Sequence, residues 1–255
     1  MVAMPSFLPI LQTVSGSQVV TGSRVFGIFR RHPRPFSTGL LALLVGLVLL
    51  LVGQESSAWD VDRLRQSAIR QGGQAPDSMR ALIDLVGQLT GQDDETRLQQ
   101  INQFFNRRVT FRDDIDVWGQ IDYWATPIEM LGKGAGDCED YAIGKYFSLI
   151  AAGVAPARLR LVYVKATLNG PGGSSQQAHM VLAYYPAPGA SDPSILDNLV
   201  AEIRPASRRP DLAPVFSFNA EGLWSGTQGP GAGDPLARLS RWRDLLARAR
   251  EQGFL

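Results

Sequence analysis

The chain has 255 residues, 45% of them apolar and 19% charged, with a net charge of +1. That balance is enough to bury a globular core, and it gives no support for nucleic-acid binding, because Lys/Arg-rich runs are absent outside the N-terminal region.

The N-terminal region is the one strongly biased segment. Arg24, Arg30, Arg31 and Arg34 precede an apolar run over residues 40–52, and Ser56-Ser-Ala58 follows. A basic flank, a short apolar stretch and a small-residue exit read as a secretory signal, with cleavage expected after Ala58. The run is short of the about 20 residues that span a bilayer, so retention as a membrane anchor is the lesser alternative. Residues 1–58 are therefore expected to be a signal peptide or N-terminal extension, and residues 59–255 a single domain. Removing four of the 25 basic and one of the 24 acidic residues leaves that domain at −2.

Residues 59–70 and 78–88 read as helices, the second with Met79, Leu82, Ile83, Leu85 and Val86 along one stripe. Asp93 or Asp94 is placed to cap a third helix ending near Arg107, with Leu98, Ile101, Phe104 and Phe105 at helical spacing. Periodicity then breaks over residues 109–127. Aromatic residues there interleave with Asp113, Asp114, Asp116 and Asp122, which fits either a structured loop lining a site or a solvated acidic loop with core anchors. A short turn is expected over residues 128–131.

Gly134-Ala-Gly-Asp-Cys-Glu-Asp-Tyr141 opens an apolar helix that Gly153 is suited to end. Asp137 or a neighbour is expected to cap it. Cys138 is the only cysteine. A helix start favours a thiolate, whereas Asp137, Glu139 and Asp140 oppose it by repulsion. A hard cation with oxygen ligands, Ca²⁺ above all, would neutralise them, with Asp113, Asp116 or Asp122 completing the shell. Simple capping by Asp137 is the bland alternative.

Strands are expected over residues 159–165 and 179–185, flanking a Gly/Ser/Asn loop over residues 167–177. Shorter strands are expected at 194–198, 201–203 and 213–218. A glycine-rich linker at 226–234 then leads to an amphipathic helix at 235–252. Helices followed by antiparallel strands make an α+β layout.

A cysteine nucleophile needs a base and a group to orient that base. His179 is the only histidine after residue 58. Asp197, flanked by Leu196 and Leu199, is expected beside it on the next strand, bonded to its Nδ1–H; Asp192, in a Pro-rich turn, is the competitor.

Trp118-Gly-Gln-Ile-Asp-Tyr-Trp-Ala-Thr-Pro127, Gly136-Asp-Cys-Glu-Asp-Tyr-Ala-Ile143, Ala178-His-Met-Val-Leu182 and Leu196-Asp-Asn-Leu199 occur in this order. The set resembles the bacterial transglutaminase-like cysteine proteinases. The resemblance implies a papain/transglutaminase-like α+β fold, with the nucleophile at the N-terminus of a central helix packed on an antiparallel sheet, and a helical subdomain before it. It also implies a Cys138–His179–Asp197 triad, periplasmic location, and calcium dependence with Asp137 and Glu139 as metal carboxylates and Asp140 beside them. The substrate it implies is the N-terminal region of a large surface adhesin, whose release disperses biofilm. The implied partner is an inner-membrane cyclic di-GMP receptor that sequesters the protease. For the oxyanion, the Cys138 N–H would be joined by the Trp124 indole or by Gln120. A transglutaminase or amidase with the same triad, or a non-catalytic periplasmic binding module, are the rival readings.

Overall fold

The computed structural model describes residues 59–187 except 171 and 172, residues 189–227, and residues 231–255. The expected leader lies outside the described residues. Among those residues, no helix is long and apolar enough to cross a membrane.

Three helices open the domain: α1 (Val61–Gln71), α2 (Ala75–Leu89) and α3 (Asp94–Arg108). Asp60 and Asp93 cap α1 and α3 by accepting from Arg63 N and Thr96 N, satisfying N–H groups that a helix start leaves unpaired. The irregular acidic segment is ordered. It holds strand β1 (Thr110–Phe111) and a short helix α4 (Asp114–Trp118) that Gly119 ends in the left-handed conformation. The expected turn after it is helix α5 (Pro127–Lys133), started by a reciprocal capping box between Thr126 and Glu129.

Strand β2 (Ala135–Gly136) leads straight into the central helix α6 (Cys138–Ala151). Asp137 stands at its N-cap, but its side chain makes no capping bond, contrary to the sequence expectation. Its carboxylate is turned elsewhere, as described below. Ten consecutive residues of α6, Asp140 to Leu149, are buried, so it is wrapped on all sides. The close approach is visible at Gly144, where a Cβ would sit 2.6 Å from the Phe105 ring.

A seven-stranded antiparallel sheet forms the other layer, in the order β6-β5-β4-β3-β7-β8-β9. Its strands are β3 (Leu159–Gly170), β4 (Gly173–Tyr184), β5 (Ser194–Leu196), β6 (Arg204–Pro205), β7 (Leu212–Phe218), β8 (Leu223–Ser225) and β9 (Gly231–Gly233). The polar stretch expected as a loop is instead a continuation of the β3–β4 ladder, paired without interruption from Leu159↔Tyr184 to Gly170↔Gly173. Ladder bonds, once propagated from an apolar stem, carried strand geometry into residues of poor strand propensity. The strand expected at 201–203 does not form, and the glycine-rich linker contributes β9. The chain ends in α7 (Pro235–Arg238) and α8 (Ser240–Gln252), which buries Leu245 and seats Trp242 in the core against Phe147 and Phe218. Mixed layers of helix and antiparallel sheet around one central helix give the α+β, papain-like architecture.

Candidate active site

A cavity of about 570 Å³ lies where the N-terminus of α6 meets the edge of β4. Cys138, His179 and Trp124 line it, together with Asp137, Glu139, Asp113 and Asp122. A larger depression of about 740 Å³ between α2 and α3 is walled by Gln88, Gln100, Gln103 and Arg107 and holds no nucleophile.

Cys138 is the first residue of α6. Its thiol donates to Glu139 Oε2 at 3.1 Å. Burial pushes the thiol's pKa up, the Glu139 and Asp137 carboxylates add to that, and the nearby Met180 backbone N–H pulls the other way. As it stands, this is a protonated thiol.

His179 sits on β4 opposite Val164 and is 2% exposed. Its Nε2 lies 2.9 Å from Asp197 Oδ1. From the sequence, Nδ1 is expected to face the carboxylate. The structure reverses the ring, leaving Nδ1 as the nitrogen available for proton exchange. Asp197 comes one residue after β5, whose register, Leu182↔Leu196, carries the chain alongside His179. Its Oδ1 also accepts from Leu199 N at 3.0 Å, and its Oδ2 from Arg209 at 2.8 Å. Burial alone would raise Asp197, but the bonds from His179, Leu199 and Arg209 hold it at about 2, ionised at any ordinary pH. Asp192 instead accepts from Ser207 N and Oγ and takes no part here.

The second feature is a carboxylate cluster. Strand β1 pairs in parallel with β2, Phe111↔Gly136, which brings α4 beside the start of α6. As a result, Asp114, Asp137 and Asp140 each offer an oxygen within 4.8 Å of the others, and Asp114, Asp122 and Glu139 form a second such group. Asp114 and Asp140 are 2% and 0% exposed. One oxygen of each of Asp114, Asp137 and Asp140 is buried without a hydrogen-bond partner. Burial is the leading cause that raises Asp114 to about 6, Asp137 to about 10 and Asp140 well above the carboxylate range, with neighbouring carboxylates adding to each.

Unpaired buried carboxylates are costly, and three converging oxygens are a donor set for a hard divalent cation. Gly136 makes room for them, since a Cβ there would meet Asp140 Oδ2 at 2.7 Å. The residues fit such an ion.

The cluster's other oxygens orient residues 123–125. Asp114 Oδ2 accepts from Tyr123 N, and Asp140 Oδ1 accepts from Ala125 N at 2.7 Å. Between them, the Trp124 carbonyl accepts from Arg248 at 2.7 Å, and its ring stacks on Phe218 at 5.6 Å. Arg248 also bonds Glu129 and the Tyr123 hydroxyl.

Of the sequence candidates, Cys138, His179 and Trp124 share the cavity, with Asp197 bonded behind His179. Asp137, Glu139, Asp140 and Asp122 join the carboxylate groups. Gln120 and Asp116 are exposed and belong to neither. Two site residues, Asp114 as a ligand and Arg209 as a partner of Asp197, are not expected from the sequence. Asp114 was one of four aspartates in an aperiodic stretch, and only the β1–β2 pairing singles it out. Arg209 stands twelve residues from Asp197, with no local pattern linking them.

A sequence-family profile described as bacterial transglutaminase-like cysteine proteinase (BTLCP) matches residues 83–210. Among solved structures, the chain is similar to Legionella pneumophila LapG. The EGTA-treated form is 39% identical, with a TM-score of 0.63 over 74% of this chain and 96% of that one. The calcium-bound form is 38% identical, with a TM-score of 0.62 over 74% and 98%. The chain matches no curated protein.

Proposed function

This chain belongs to the bacterial transglutaminase-like cysteine proteinases and is a LapG-type cysteine protease, and from that membership we propose that it is a calcium-dependent endopeptidase acting through Cys138, His179 and Asp197. The observation that carries the assignment is the 2.9 Å contact between His179 Nε2 and Asp197, with His179 and Cys138 on the wall of one cavity.

In the reaction, Cys138 Sγ gives its proton to His179 Nδ1 and bonds the carbon of the scissile carbonyl. Negative charge moves to the carbonyl oxygen, next to the Cys138 backbone N–H at the start of α6, with the Trp124 indole as second donor. His179 then returns the proton to the departing nitrogen as the C–N bond breaks, leaving a thioester. A water that loses its proton to the same imidazole nitrogen hydrolyses that thioester and frees the thiol. Asp197 stays ionised throughout and holds the ring through Nε2–H, which favours the imidazolium.

Asp114, Asp137, Glu139, Asp140 and Asp122 would hold Ca²⁺. That ion, when bound, neutralises the carboxylates that otherwise keep the thiol protonated. The calcium-bound form of the Legionella protein supports this choice of cation.

We assign as substrate the N-terminal region of a large surface adhesin, whose release disperses biofilm. The protease itself is exported to the periplasm by residues 1–58 and sequestered there by an inner-membrane cyclic di-GMP receptor. These roles rest on the likeness to LapG-type proteases. The test is to incubate the protein with an adhesin N-terminal fragment, with and without EGTA. Two discrete products that disappear in chelator, and in Cys138→Ala, are expected. Amine-modified or cross-linked product would mean an acyl transferase, and cutting in excess chelator would refute the calcium role.

A further inference from the structure

Among the described residues, strand β4 has an open backbone edge that begins at the candidate active site. Strand β5 pairs only with residues 182–184 of β4. Beyond that, Gly173 to Ala178 are exposed. The direction of their backbone groups follows from the ladder. Tyr185 N–H donates to Arg158 O, so odd-numbered residues of this strand turn their polar groups towards β3. Thr167, which pairs with Gln176, sends its N–H the other way, to Asp211 O. The N–H and C=O groups of Met180, Ala178, Gln176 and Ser174 therefore face outward. The first of these residues, Met180, lines the same cavity as Cys138.

Proteins normally blunt such edges with charge, proline or a cover. The six exposed residues, Gly173-Ser-Ser-Gln-Gln-Ala178, carry neither charge nor proline.

We propose that this edge is a docking rail for the polypeptide substrate, which joins the sheet as an extra strand with its scissile bond at Cys138. The inference deepens the protease reading above and rests on it. Ala178, Gln176 and Ser174 offer three outward N–H and C=O pairs over about 14 Å, at about 3.4 Å per residue. A chain pairs with them through every second residue, so recognition is largely blind to side chains and demands an extended, unfolded segment. Helical or tightly turned segments are refused. The continuity of the rail with the cavity, through Gln177, Ala178, His179 and Met180 on its wall, selects the substrate over any other occupant.

Gln176→Pro tests this, because it deletes an outward N–H and leaves the bonds to β3 in place. With the adhesin N-terminal fragment as probe, kcat/KM is expected to fall about tenfold or more, which is about 1.4 kcal/mol. Alkylation of Cys138 by iodoacetamide, which needs no rail, counts the intact sites on which that rate is expressed. A second measurement leaves the protein unaltered. Single N-methylation along a peptide spanning the cut should slow cleavage at alternate residues on one side of the scissile bond. Equal cleavage by Gln176→Pro, or no period of two in the methylated peptides, overturns the proposal. A wild-type dimer that Gln176→Pro converts to monomer with cleavage unchanged would assign the edge to a second copy, which also overturns it. Wild-type protein that leaves the fragment uncut refutes the protease reading instead, and the rail falls with it.

Discussion

Replacing Asp137 by Asn should stabilise the calcium-free protein while abolishing its response to calcium. Asp137 has a folded pKa of about 10 against 3.8 for the free group, chiefly from burial and then from Glu139 and Asp140. A raised carboxyl pKa favours the folded state only at pH below the unfolded value. As pH rises from 3.8, folding must increasingly keep a proton that the unfolded chain has lost. At about 1.4 kcal/mol for each of the roughly three pH units up to neutrality, the penalty is about 4 kcal/mol. Solvent reaching this partly open site reduces it to about 2 kcal/mol. Asn has no proton to lose. In EGTA at pH 7, the variant should melt about 4–8 °C above wild type. At pH 3.5 the difference should vanish. Added Ca²⁺ should raise the wild-type melting temperature and leave the variant's nearly unmoved. A variant less stable than wild type in chelator at pH 7, or one with an undiminished calcium shift, would refute the reasoning.

Asp114, held at about 6 mainly by burial, extends the same sign to the whole cluster. In EGTA, wild-type stability should drop between about pH 4 and pH 7, and a melting temperature flat over that interval would contradict it. Asp197, held at about 2, has the opposite sign. Its stabilisation is present above pH 4 and is lost as pH falls through about 2, which acid titration of Asp197→Asn against wild type would show. Arg209→Met leaves Asp197 without the partner of its Oδ2. We expect a loss of about 3 kcal/mol in urea unfolding and a fall in kcat/KM of at least tenfold; wild-type values for both would remove Arg209 from the site. Trp124→Phe keeps the stack on Phe218 but deletes the indole N–H. A fall in kcat of about 100-fold would support an oxyanion role, whereas an unchanged kcat would leave Trp124 as a wall of the cavity.

Much of this was legible in the sequence, because the signals were local. The stripe over residues 79–86, the aspartate caps and the glycines around Cys138 each act within a turn or two, and they mark α2, α3 and the start of α6 directly. Other features depend on distant pairing. The Gly/Ser/Gln stretch of β4 has poor strand propensity and becomes a strand because the apolar stem of the hairpin sets its register. Asp114 joins Asp137 only through the two-residue β1–β2 contact. The nitrogen that His179 turns towards Asp197 is a matter of tertiary placement, which spacing along the chain does not encode. Even the capping role expected of Asp137 failed for a tertiary reason, since its carboxylate is drawn into the cluster with Asp114 and Asp140.

Arg248 on α8 grips the carbonyl of Trp124, 124 residues earlier in the chain, so the C-terminal helix holds one wall of the candidate active site. Residues 123–125 are thus held at three points, by Asp114 and Asp140 from the carboxylate cluster and by Arg248 from the end of the chain. Removing α8 would take away the middle anchor, so the last helix is a working part of the cavity wall although it contributes no reacting group.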